Sequence, residues 1–169
     1  MNRRLVLCYG AFGFGYIIPA TFLPAMAKEI VADPRMFGWA WPVFGAAAAV
    51  STVYAVRLST RISHRSLWIG GHLVMALGVV VPLFLPALPG IMVAALLVGG
   101  TFMVITMAGM QEARREGPHA RALMAAMTSA FALGQILGPL VVGLGFAPAL
   151  ILAATILVLS AFLLGIKHE

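Results

Sequence analysis

Six apolar runs, each about as long as the hydrocarbon part of a bilayer is thick, leave this chain few ways to fold. They cover approximately residues 5–27, 39–56, 67–88, 91–110, 122–143 and 147–166. A helix rises about 1.5 Å per residue, so crossing roughly 30 Å of hydrocarbon takes about 20 residues. None of the runs alternates strictly between polar and apolar residues as a membrane β-barrel strand does. A backbone in lipid must satisfy its own hydrogen bonds, so each run reads as a transmembrane helix. The expected fold class is all-α, a single polytopic six-helix bundle spanning residues 1–169.

Composition agrees. Hydrophobic residues make up 62% of the chain and charged residues only 9%. A soluble domain carries about 25% charged residues. The lipid bilayer is therefore the first partner. The net charge of +6 raises a nucleic-acid reading, but the charges are few and scattered between long apolar stretches, which excludes it. Asn2, Arg3 and Arg4 resemble the basic start of a secretory leader. The run that follows is longer than a leader's apolar region and similar runs come after it, so it reads as a retained helix.

The placement of the basic residues orients the bundle. Arg3, Arg4, Arg57, Arg61, Arg65, Arg114, Arg115, Arg121 and Lys167 fall on one side of an alternating six-span arrangement. Only Lys28 and Arg35 fall on the other, accompanied by Glu29 and Asp33. Positive charge stays on the cytoplasmic side, so both termini are expected there. Trp39 and Trp41 at one surface and Trp68 at the other read as headgroup-zone anchors.

Helix five carries Ala122, Ala126, Ala130, Gly134 and Gly138 at four-residue intervals. This stripe of small side chains permits close backbone approach, and Pro139 adds an expected bend. Helix one reads Tyr9-Gly10-Ala11-Phe12-Gly13-Phe14-Gly15-Tyr16, followed by Pro19 and Pro24. Pro19 deprives one backbone carbonyl of its usual donor, and interrupted helices in transporters expose such groups to substrate. Tyr9, Phe12 and Tyr16 share a face, either lining a cavity or packing around the proline. Met103, Thr106, Met107 and Met110 on helix four either line an adaptable cavity or fill gaps between helices. Gln135 and Thr128 are polar groups in an apolar helix; Gln135 is costly to leave unpaired and should face protein or a wet cavity.

No acidic residue lies deep in a span. Glu112 sits at a helix end beside Arg114 and Arg115, as part of a charge network or of gating. His72 lies about a turn into helix three without an evident partner, so a proton-coupled mechanism has no evident acceptor. Cys8 reads as a buried thiol. Phosphate loops, dinucleotide motifs, metal-ligand spacings and protease-like relays are all missing from the pattern. The expectation is no enzyme, no cofactor and no metal.

The connection Arg57-Leu58-Ser59-Thr60-Arg61-Ile62-Ser63-His64-Arg65 resembles the Gly-x-Leu-Ala-Asp-Arg-x-Gly-Arg-Arg loop of the major facilitator superfamily. Leu58, Arg61 and Arg65 match. Thr60 replaces the aspartate, Ser63 the glycine, and His64 an arginine. Gly134-Gln135-Ile136-Leu137-Gly138-Pro139-Leu140 resembles the superfamily's fifth-helix Gly-Pro motif. The stretches 13–19, 37–42 and 99–114 are similar to the bacterial YbfB/YjiJ-type branch. Together they resemble the C-terminal half of such a transporter over essentially the whole chain.

That resemblance implies half of a secondary active transporter that moves a small organic solute across the bacterial inner membrane by alternating access. Helices one and four would line the cavity, with Tyr9, Phe12, Tyr16, Met103, Thr106, Met107, Met110 and Gln135 as candidates. Arg57, Arg61, Arg65, Glu112 and Arg114 would take part in cytoplasmic gating. Helix five would meet the other half through Gly134, Gly138 and Pro139. One half cannot alternate access alone. The missing six-helix N-terminal half, a separate partner chain or a second copy in a homodimer would complete it. The different-class alternative is a nontransport membrane receptor or assembly subunit.

Overall fold

The computed structural model describes residues 2–30 and 38–166. Asp33, Arg35, Phe37 and Lys167, and the side chains of Pro24 and Glu29, lie outside what is described. Among the described residues there are six long helices: α1 (Arg3–Ile30), α2 (Ala40–Ser59), α3 (His64–Phe84), α4 (Leu88–Arg114), α5 (Ala120–Val142) and α6 (Phe146–Gly165). Each is long and apolar enough to cross a membrane.

The boundaries follow local chemistry. Ser63 caps α3, its hydroxyl accepting the Ser66 backbone N–H at 3.1 Å. This satisfies one of the orphan donors of the first turn and starts the helix three residues before the apolar run. Pro89 sits in the first turn of α4, where a missing N–H costs nothing. Gly145, with φ +107°, makes the tight passage into α6 that a side chain would strain.

Helix α1 continues unbroken through Pro19 and Pro24. The interruption expected at Pro19 is therefore not formed. Its ring is buried among neighbouring helices, and packed neighbours let transmembrane helices tolerate proline. Helix α5 likewise remains helical through Pro139.

The helices assemble in two rows. Helix α2 packs on α4, α4 on α1, and α1 on α5, giving a front row α2–α4–α1–α5. Helices α3 and α6 pack on each other and against α4 and α1 from behind. The main core lies between the rows and includes Phe12, Trp68, Met75, Ile105, Met127 and Leu157, each essentially inaccessible. A second, small core of Ala40, Ile91, Ala94 and Ala95 joins α2 to α4.

The tightest seam is between α1 and α5. A Cβ on Gly134 would lie 2.6 Å from the Phe14 backbone nitrogen and closer still to the Gly10 carbonyl oxygen. A Cβ on Gly13 would strike the Phe131 carbonyl from the opposite side. Gly138 faces Ile17 and Phe14 in the same way. These glycines are thus consumed in packing within this chain, not offered to another half as the resemblance implied.

The small-residue stripe also does not hold one face. A four-residue step overshoots a helical turn by about 40°, so the row winds around the cylinder. Gly134 and Gly138 are buried, Ala126 and Ala130 partly so, and Ala122 is exposed. At that end Leu123 and Met127 occupy the contact instead.

Candidate functional site

Tyr16 stands at the centre of the front row. Its ring centroid lies 4.7 Å from that of Phe102 on α4 and 6.4 Å from that of Phe44 on α2. Phe131 of α5 lies 5.8 Å away and almost parallel, at 13°. All four front helices thus contribute an aromatic ring to one cluster. The Gln135 amide Nε2 donates to the Tyr16 hydroxyl oxygen at 3.4 Å. Both residues are partly buried, so a neutral polar pair reaches the surface of an otherwise apolar wall.

The other cavity candidates sort by depth. Tyr9 and Phe12 lie behind the wall, 4% and 0% exposed. Phe12 packs 5.0 Å from Phe131 and 5.5 Å from Phe102 and forms the floor beneath Tyr16. The polar neighbour of the Tyr9 hydroxyl is Thr106. Met103, Thr106, Met107 and Met110 are each partly buried on α4. The Thr106 hydroxyl also donates back to the Phe102 carbonyl at 2.9 Å. Thr128 donates to Met124 within α5 and is exposed.

Behind this floor sits a buried pair that corrects an expectation. Trp68 is not a headgroup anchor: it is 0% exposed. The earlier start of α3 carries it a turn inward and turns it toward α1, edge-on to Tyr9 at 5.9 Å. Its indole N–H donates to His72 Nε2 at 3.2 Å. That bond gives His72 a partner and, with Nε2 accepting, places the imidazole proton on Nδ1. Trp39 and Trp41 remain exposed, 60% and 52%.

A second region lies at the end of the bundle where α2 runs into α3. A cavity of about 550 Å³ opens between the 59–64 connection and the end of α4. Arg61, His64, Gln111, Arg114 and Arg115 line it, together with the loop hydroxyls. Glu112 Oε2 lies 3.5 Å from Arg115 Nη1. Arg57 borders a neighbouring hollow with Tyr54 and Arg61. Arg65, in the first turn of α3, is not among the residues lining either space.

The sequence did not single out Phe44, Phe102 or Phe131, each on a different helix. The only available signal was that Phe102 and Thr106, and Phe131 and Gln135, lie one helical turn apart. Among the described residues no group of histidine, cysteine or carboxylate side chains is arranged to hold a metal. Cys8 is buried, its sulfur 3.7 Å from the Ser160 carbonyl oxygen.

Compared with known proteins, residues 2–165 match a family model described as "Uncharacterised MFS-type transporter YbfB". No curated protein matches the chain.

Proposed function

The chain belongs to this YbfB-type family of MFS transporters, a family of membrane transporters and not of enzymes, and from that premise we propose that it supplies one wall of a solute pathway. The carrying observation is the Tyr16–Gln135 pair set in an aromatic surface to which all four front helices contribute. Aromatic faces, the α4 thioethers and one neutral polar pair suit a small organic solute with an apolar body and a hydrogen-bonding group. Tyr16, Gln135, Met103, Thr106, Met107 and Met110 make the wall; Tyr9 and Phe12 hold it from behind.

Alternating access needs a second wall. The flanking helices α2 and α5 are the least buried of the six. They present Val50, Val53 and Tyr54 on one side and Leu133, Ile136 and Leu140 on the other. An apolar front of this extent supports pairing with a second six-helix half, carried on the same or a separate chain, or with a second copy. Arg57, Arg61 and Arg114 then act at the cytoplasmic gate, with both termini cytoplasmic in the bacterial inner membrane. Glu112 joins them only through its helix-end pair with Arg115.

The test is flux. Sealed vesicles containing this chain with its complementary half should accumulate or release a solute from a broad panel of radiolabelled small organic compounds. Gln135→Leu should reduce that movement. Absence of flux across the whole panel with a correctly assembled complex would favour a receptor or assembly subunit instead.

A further inference from the structure

The rear of the bundle carries a feature that the solute wall does not use. Two hollows of about 420 Å³ each lie in the crevice between α3 and α6, and Leu73 borders both. The first reaches Ile69, Phe162 and Ile166 at the end of the bundle; the second extends to Val80. Ile69 and Val80 are eleven helical steps apart on α3, about 16 Å at the helical rise. One leaflet of hydrocarbon is about half of 30 Å. The crevice therefore runs from one surface to about the membrane midplane.

Its rim is apolar and accessible: Leu77, Leu159 and Phe162 are 57%, 61% and 71% exposed. Two arginines lie on the elements that bound its surface end. Arg65 lies one turn before Ile69 on the same face of α3. Arg4 of α1 reaches the end of α6, its Nη1 donating to the Leu163 carbonyl at 3.5 Å and to the Ile166 carbonyl. The Nε atoms of both arginines are buried and lack a hydrogen-bond partner. Among the described residues neither guanidinium has a carboxylate within ion-pair distance; the one such pair joins Glu112 and Arg115.

We infer that the α3/α6 crevice binds one molecule of an anionic glycerophospholipid, an acyl chain filling the groove and the phosphate held by Arg4 and Arg65. The groove supplies an apolar slot of one leaflet's depth. Two incompletely satisfied guanidinium groups stand where a phosphodiester emerges from that leaflet. Guanidinium recognises phosphate through paired N–H donors, which a zwitterionic neighbour's ammonium would oppose. Basic pockets between helices on the cytoplasmic side attract anionic headgroups in general. This surface faces away from the front row, so occupancy is independent of the solute wall.

The experiment reconstitutes the full chain in nanodiscs containing equal phosphatidylglycerol and phosphatidylethanolamine and counts retained lipid by native mass spectrometry. Phosphatidylglycerol should be enriched over phosphatidylethanolamine. Arg65→Gln should lower that preference about fivefold, the size expected for one basic residue at an anionic surface, and Arg65→Lys should restore part of it. Arg65 makes no structural hydrogen bond, so its loss leaves the fold intact, which the thermal melt checks. Leu73→Trp, which fills the groove, should reduce retention of both lipids. An unchanged ratio in Arg65→Gln overturns the assignment, as does an equal fall in Arg57→Gln/Arg61→Gln. Full retention in Leu73→Trp removes the acyl chain from the groove. Complete displacement by soluble glycerophosphate would make it a free-phosphate site and overturn the lipid.

Discussion

The amide nitrogen of Gln135 on α5 lies 3.4 Å from the hydroxyl oxygen of Tyr16 on α1. It joins two front helices across the close-packed glycine seam. The bond is long, and a donor at this distance is readily surrendered to a better acceptor. Two polar groups that satisfy each other when the wall is empty can each turn to a solute when it is occupied.

From this relation, Tyr16→Phe and Gln135→Leu should each weaken the apparent affinity for a hydrogen-bonding solute about fivefold, the worth of one net hydrogen bond of about 1 kcal/mol. Because each group makes its own bond to the solute, the double variant should lose more than either single one. Concentration-dependent uptake into vesicles reads this directly, and unaltered affinity in both single variants would remove the pair from the pathway.

The α1–α5 seam should be intolerant of bulk. Gly134→Leu drives a side chain into the Gly10 carbonyl and the Phe14 nitrogen. It should cost about 1–3 kcal/mol or more, as overpacking does. Gly100→Ala is the comparison, because a Cβ there meets nothing within 4 Å. Reversible unfolding in mixed micelles should separate the two; equal stabilities would contradict the seam.

Trp68 and His72 should behave as one unit. Trp68→Phe removes the donor to Nε2 in a ring whose Nδ1 already lacks a partner. An unsatisfied buried polar group costs about 1–3 kcal/mol. Adding His72→Phe should then cost much less than it does alone. Strict additivity in a double-mutant cycle would show that the hydrogen bond contributes nothing. In fluorescence, soluble quenchers should reach Trp39 and Trp41 but leave a protected component from Trp68.

Glu112 gives the opposite forecast. Glu112 is 13% exposed but its partner Arg115 is 67% exposed, and an i,i+3 pair open to solvent on one side contributes under about 1 kcal/mol. Glu112→Gln should leave the melting temperature nearly unchanged and alter flux less than Arg61→Gln does. A larger flux loss from Glu112→Gln would move the gate onto that carboxylate.

The helices were legible because hydropathy and span length are one-dimensional properties. Their partners were not. Trp68 reads as an anchor because an aromatic near the end of an apolar run looks interfacial until the Ser63 cap and the facing of α3 are known. The alanine–glycine row looked continuous on paper, yet the 3.6-residue turn carries Ala122 to the exposed side while Gly134 stays buried. Tyr16 and Gln135 stand out in the sequence separately, as an aromatic and as a costly amide. Nothing in their spacing said that they meet, since the contact joins positions 119 apart. Phe44, Phe102 and Phe131 carry little signal in the sequence because each is ordinary in its own helix and acquires meaning only beside the others. Likewise, Arg61 and Arg114 share a cavity only once two loops are brought to the same end.

The order of packing has a consequence for how the bundle is made. Among these six helices, α1 and α2 scarcely touch each other. The main partner of α2 is α4, and the main partners of α1 are α5 and α6, all synthesised later. The first two helices must therefore reside in the bilayer as separate rods while the rest of the bundle is still on the ribosome. Insertion and assembly are then distinct stages, and a ribosome stalled before α3 would leave two helices spanning the membrane with almost no surface in common.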